Sequence, residues 1–212
     1  MVTFSSDTEV VNSALIKIGA KTLTDLDTDS SREAVVARRS YPVQLDALLR
    51  RARWNFAKER VSLAPDGTAP TFGYENRFRL PADLISVIGL YDPNEPLQNY
   101  TGTTAPWSIE GRYLLTTDAE AKVMYIKRVT NMAEWDPLFG EALAWLLAKD
   151  LAFYLTTGSK YANLAFAAFK NAMIDAKIAN AFEGTPEVLT SSEWLDARGT
   201  TGPSNFRAGP IN

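Results

Sequence analysis

Apolar positions recur at helical spacing toward both ends of the chain, whereas the middle alternates or clusters them in short runs broken by proline and glycine. A first helix is expected from about Ser6, where Ser6 and Glu9 have capping-box spacing and Val11, Ala14, Leu15 and Ile18 follow on one face. Gly19 ends it. A loop carrying Leu23 and Leu26 leads to a second capping pair, Ser30 with Glu33, and to a long helix running toward Arg53 that Pro42 should kink or split. Tyr41, Leu45, Leu48 and Ala52 share one face of that helix, and Arg32, Arg39, Asp46, Arg50 and Arg53 another.

From Val61 to Val129 the texture is β-prone, with candidate strands at Ile85 to Tyr91, Trp107 to Ile109, Arg112 to Thr116 and Ala121 to Val129. Glu110-Gly111 suggests a tight hairpin and Thr117-Asp118 a further turn, so a small antiparallel meander or sandwich is expected. Asp136-Pro137 then starts a helix that is apolar on nearly all sides, which should make it central and place Trp145 in the packing. Thr157-Gly158-Ser159 breaks it. A last, alanine-rich helix runs from about Ser159 to Phe182, with Phe166, Phe169 and Met173 at helical spacing. Beyond Gly184 only Val188, Leu189, Trp194 and Phe206 stand as isolated anchors, so residues 184–212 read as an extended arm that a neighbouring molecule orders. The fold class is α+β. Residues 1–60 and 130–183 form a discontinuous α-helical bundle body, 61–129 an inserted antiparallel β module, and 184–212 an extended C-terminal arm.

Composition narrows the chemistry. The 212 residues include no cysteine and no histidine, which excludes disulfides, thiolate nucleophiles and any imidazole base or ligand. Any active site would have to use carboxylate, lysine or tyrosine. The N-terminus has no secretory pattern, and the most apolar stretch, Pro137 to Leu155, is interrupted by Glu141, Lys149 and Asp150, so a buried helix is expected and no membrane contact. The formal charge is only −3, yet Arg32 to Arg60 hold eight basic residues against Glu33, Asp46 and Glu59. The rest of the chain is therefore acidic.

Four features could carry chemistry. Asp25, Asp27 and Asp29 begin like a calcium loop, but Ser30 stands where the turn needs glycine and Val36 where a bidentate Glu is required, so an acidic loop is the better reading. Thr157-Gly-Ser-Lys160 lacks the order and the earlier glycine of a phosphate-binding loop and is a helix break. Trp54, Trp107, Trp145 and Trp194 sit in separate elements and read as packing. Arg50, Arg51 and Arg53 beside Trp54 are the strongest cluster, suited to an acidic partner or to phosphate, although positive charge also complements a helix C-terminus. They are the candidate residues for interface or lumen electrostatics. No catalytic, cofactor-binding or metal residue is assigned.

Ala14-Leu-Ile-Lys-Ile-Gly-Ala20, Asp29-Ser-Ser-Arg-Glu-Ala-Val-Val-Ala-Arg-Arg39, Tyr41-Pro42 and Leu48-Leu-Arg-Arg-Ala-Arg-Trp-Asn-Phe-Ala57 together resemble the N-terminal signature of the tail tubular protein A family, the head-to-tail adaptors of short-tailed phages. Phe78-Arg-Leu-Pro-Ala-Asp83 is similar to that family's aromatic-x-Leu-Pro-x-Asp step, and Trp107 to Leu115, Asp136 to Phe139 and Ala142-Leu143 extend the likeness over roughly residues 8 to 180. The resemblance implies a structural, non-enzymatic virion protein assembled in the host cytoplasm. It would form a homo-oligomeric ring, dodecameric in this family, between the portal protein and the tail nozzle protein, with tail fibres as possible neighbours and genomic DNA passing through the lumen without sequence-specific contact. No catalytic residue transfers, and no cofactor is expected. Two alternatives compete: a connector or head-completion protein of another phage tail type, which would lack the inserted β section, and a carboxylate-based glycoside hydrolase, which would need two acidic residues converging in one cleft.

Overall fold

The computed structural model describes residues 4–91, 106–156 and 159–183. In order these form α1 (Asp7–Lys17), α2 (Arg32–Leu49), β1 (Lys58–Leu63), β2 (Asn76–Arg79), β3 (Leu84–Leu90), β4 (Trp107–Glu110), β5 (Tyr113–Thr116), β6 (Ala121–Lys127), α3 (Pro137–Leu155) and α4 (Lys160–Phe182). The fold is α+β, with four helices and two small antiparallel sheets among the described residues. The expected arm, 184–212, and the break at Thr157-Gly158 lie outside them.

Local signals set most helix ends. Ser6 Oγ accepts from the Glu9 amide at 3.3 Å, while the Glu9 carboxylate accepts from the Ser5 amide at 2.7 Å, one residue earlier than a capping box would reach. That amide holds the Glu9 carboxyl below its ordinary range. At the other end of α1, Gly19 takes φ +70°, and the Ala20 and Gly19 amides donate to the carbonyls of Leu15 and Ile16, which closes the helix as a Schellman turn. The cap of α2 is Ser31, not Ser30: its hydroxyl accepts from Ala34 N at 3.3 Å. Asp29 causes the shift by accepting from Ser31 N at 2.8 Å, a turn that carries the chain one residue further before it coils.

One expectation for α2 is corrected: the helix ends at Leu49, well before Arg53. Of the two outcomes open at Pro42, the split does not occur, since α2 runs through the proline. Tyr41 and Leu45, flanking the proline, are both buried, and the Tyr41 hydroxyl donates to Asp7 at 2.6 Å, so packing against α1 offsets the missing amide. Burial and that carboxylate push the Tyr41 phenol well above its ordinary value. The early end follows from Trp54, which is fully buried and turns back to donate its indole N–H to the Leu48 carbonyl at 2.9 Å. A helix continued to Arg53 would keep Trp54 out of that position.

Helix α3 packs against α1, α2 and α4. Its Phe139, Leu143, Leu146, Leu147 and Leu151 are essentially inaccessible, as an all-round apolar helix requires. Trp145 packs against the helical core as expected but at its margin, only partly buried, where the Lys17 ammonium lies 4.5 Å from the ring centroid and pairs with Glu141 at 2.9 Å. In α4, Phe169 and Met173 are buried with Ala165 and Ala176, but Phe166 lies outside this stripe and is exposed, with Lys170 Nζ 4.5 Å from its ring centroid.

The sheets have strand orders β1-β6-β3 and β2-β5-β4. The β4–β5 hairpin is present, its last pair being Glu110 with Tyr113, and Gly111 takes φ +61° in the two-residue loop. β1 begins at Lys58, and β2, whose only apolar residue is Phe78, was not foreseen. Strand β6 organises the module. Ala121, Val123 and Tyr125 join Leu63, Phe78, Leu90 and Leu114 in a core shared by both sheets, whereas Ile126 belongs to the helical core, against which Ile85 and Ile88 also pack. The first sheet is thus a middle layer between the helices and the second sheet.

Phe139 meets three aromatic rings at once: Trp54 at 5.1 Å, Phe56 at 4.9 Å and Trp135 at 5.2 Å between centroids, all edge-on. Phe139→Ala should therefore lower the unfolding free energy by about 3–5 kcal/mol, whereas Trp145→Ala, at the partly buried margin of the core, should cost about 1–2 kcal/mol. Urea unfolding of the two variants checks this, and equal losses would contradict it.

Candidate functional site

Arg50, Arg51 and Arg53 occupy the turn between α2 and β1, where the chain leaves the helices for the sheets. Arg50 caps α2 and donates from Nη1 to the Ile85 carbonyl of β3 at 2.7 Å. Arg51 lies 5.2 Å from the Phe169 ring centroid of α4. The Arg53 carbonyl accepts from Asn180 Nδ2 at 3.2 Å, and Asn180 accepts two hydrogen bonds from Asn55, from its amide at 2.7 Å and from Nδ2 at 2.6 Å. All three arginines are exposed. The turn is a junction of α2, β3 and α4, and Arg50 and Arg51 lean on different partners, so the three do not form one binding pocket.

The rest of the basic run is divided between structural and surface roles. Arg38 donates to the carbonyls of Leu26, Asp27 and Asp29 at 2.7 to 3.1 Å, and Arg32 donates to the Tyr154 carbonyl at 2.5 Å. Lys58 bonds Asn55 Oδ1 at 2.7 Å. What the sequence did not reveal is Arg112, which follows the Gly111 turn and donates to the Pro81 carbonyl at 2.8 Å. It lines, together with Arg50, a cleft of about 500 Å³ formed by β3 and the β4–β5 hairpin. No linear signal joins these residues, because only the packing of one sheet on the other brings the hairpin beside the end of α2.

The acidic loop is internally satisfied. Asp25 Oδ1 accepts from the Thr28 hydroxyl and amide, both at 2.8 Å, and from Asp27 N at 3.1 Å, while Asp29 Oδ1 accepts from Ser31 N. The Thr28 hydroxyl above all holds the Asp25 carboxyl below its usual range, and the Ser31 amide does the same for Asp29. These carboxylates cap their own turns. No group of three or more acidic residues among the described residues is placed to hold a metal ion. Trp54 is core and Trp107 packs against the sheet core, while Trp194 lies outside the described residues.

Three further clefts lie on the described surface. One of about 350 Å³ beside β1 and β6 carries Arg60, Tyr91 and Lys122, one of about 370 Å³ is lined by Phe72, Tyr74 and Tyr113 with Glu110, and a groove of about 490 Å³ between α2 and α3 contains Arg39 and Asp150. No helix among the described residues is long and apolar enough to cross a membrane. No protein-family model matches the chain, and no curated protein is similar enough to count as a relative.

The exposure of the cluster sets its energetic weight. Arg50→Gln, Arg51→Gln and Arg53→Gln should each change stability by about 0–1 kcal/mol, while Arg38→Gln, which strands three carbonyls, should cost roughly 1–2 kcal/mol even after solvent screening. Thermal unfolding of the four variants tests this ordering. A larger loss from any one of the three single cluster variants than from Arg38→Gln would assign that arginine to the fold.

Proposed function

We propose that this chain is the head-to-tail adaptor of a short-tailed phage, a ring-forming structural subunit seated between portal and nozzle, with DNA passing through the lumen. The observation that carries the reading is where the resemblance residues fall. Of the residues quoted above for their likeness to tail tubular protein A, Trp54 and Phe56 join the β module to the helical body, while Phe78, Leu80 and Asp83 hold the module itself together. Trp54 and Phe56 meet Phe139, Phe78 and Leu80 fill the core between the sheets, and Asp83 accepts from Tyr125 at 3.3 Å while its carbonyl accepts from Arg128 N. The family motifs therefore act as fold determinants, which suits an architectural role.

The alternatives have less support. A connector of another tail type was expected to lack the inserted β section, yet six strands lie between α2 and α3 among the described residues. A glycoside hydrolase needs two carboxylates in one cleft, and none of the clefts described above holds more than one. In the adaptor reading the helices form the bundle body, residues 184–212 supply an arm that orders on a neighbour, and the exposed arginines favour acidic portal surfaces or phosphate.

Electron microscopy of the purified full chain, alone and with portal rings, is the direct test. Rings alone or seated on the portal are expected. Attachment to DNA-filled capsids should weaken as salt rises, and the variant with Gln at positions 50, 51 and 53 should lose most of that salt dependence. A chain that stays monomeric in both conditions and hydrolyses a polysaccharide would replace the adaptor by the hydrolase.

A further inference from the structure

Helix α4 has two apolar faces. One is the buried stripe of Ala165, Phe169, Met173 and Ala176. On the other side Leu164, Ala167, Asn171, Ile174, Ile178 and Ala181 recur at alternating three- and four-residue steps, the spacing of a helix–helix seam, and all six are exposed. Leu164, Ile174 and Ile178 are 58%, 55% and 49% exposed, and Phe182 at the end is 85% exposed. A seam of this kind facing water marks a contact surface.

A second apolar surface lies elsewhere on the body. Val35, Val36 and Val43 of α2 and Tyr154 of α3 line the groove of about 490 Å³, with Val43 62% and Tyr154 51% exposed. Arg39 stands in its middle, one helical turn from Val35 and from Val43, and Asp150 borders it. The α4 seam carries the opposite signs on its flanks: Asp175 beside Ile174, and Lys170 and Lys177 on the other side. The apolar ridge thus meets a groove whose valines and Tyr154 supply the apolar half of its lining, with Ser40 and Gln44 beside them, and the charges of each have an opposite on the other.

Resting on the ring reading, we infer that the α4 seam of one copy docks in the α2–α3 groove of the next, with Asp175 meeting Arg39 across the contact. Two unlike patches on one chain make a head-to-tail interface, and such a contact propagates until a ring closes. A two-fold contact of α4 with itself is less favourable when antiparallel, because it would bring Lys170 and Lys177 against the same residues of the other copy. The size is informative too. A ridge about 27 Å long and roughly 10 Å wide covers ~300 Å², short of the ~800 Å² per partner of a stable pair, so isolated copies associate weakly and the closed ring or a template holds them.

The chain contains no cysteine, which permits a clean trap. Full-length protein carrying both Val43→Cys and Ile174→Cys, treated at high concentration with a short bismaleimide, should give a ladder of linked multimers, whereas either single variant should give at most dimers. Arg39→Glu or Asp175→Arg alone should abolish the ladder, and the two together should restore it, with unchanged thermal midpoints because both residues are exposed. A ladder indifferent to these charge reversals overturns the inference, as does strong dimer formation by Ile174→Cys alone, which would make the contact a two-fold one. Rings seen by electron microscopy without any ladder would refute this interface and leave the adaptor reading standing. Absence of both would remove the two together.

Discussion

The architecture depends on the aromatic contact around Phe139. Trp54 and Phe56 stand where the chain enters the β module and Trp135 where it leaves, and all three rings meet one side chain near the start of α3. Each edge-to-face pair contributes roughly 0.5–1.5 kcal/mol beyond the burial itself. The two indole N–H groups are satisfied as well, Trp54 by Leu48 and Trp135 by Val129. A long insertion whose two ends are clamped together behaves as a closed loop, so its strands can pair with each other without disturbing the helices on either side.

Other ties between module and body are weaker. Arg128 approaches Asp46 at 2.7 Å by charge rather than through an aligned hydrogen bond, and Lys127 reaches Glu134 at 3.7 Å, the side chains as a whole being partly open to solvent although Asp46 Oδ1 itself is buried. Exposed pairs of this kind contribute at most about 1 kcal/mol each. The apolar contribution comes from Ile85, Ile88 and Ile126, which one face of the middle sheet turns toward the helices while Val123 and Tyr125 turn the other way. The period-two alternation of β6 therefore serves two cores at once, and a slip of one residue there would expose both.

How far the sequence foretold this differs by kind of signal. The α+β order, the Gly19 stop, the Asp136 cap and the β4–β5 hairpin follow from local chemistry, and local chemistry was enough. The start of α2 was misplaced by one residue because Asp29 and Ser31 share a turn whose hydrogen bonds spacing alone does not specify. The end of α2 was misplaced because Trp54 has to be buried, a tertiary demand that outweighs helix propensity. Trp145 and Phe166 look like core residues in a helical pattern, but what covers each face is decided by the neighbouring helix. Strand β2 is legible only through its partner β5, since three of its four residues are polar. Of the candidate site, the arginine turn was visible and its division among β3, α4 and solvent was not; Arg112 needed the two sheets to be stacked before it could be seen at all.

The same reasoning separates the charge that belongs to the fold from the charge left for a partner. Arg38 is committed to the carbonyls of the acidic loop and Arg32 to the end of α3, so neither offers a free guanidinium to a distant surface. Arg39 and Arg50 sit in grooves beside apolar side chains. In such a setting an incoming carboxylate or phosphate would be partly desolvated, and its pairing would be less screened than at a flat surface. A basic segment that is spread in sequence thus resolves into two grooves of different character, one at the α2–α3 side and one between the sheets. In the proposed adaptor role, that separation would let distinct neighbours be told apart, because a single undivided positive patch would attract every acidic partner alike.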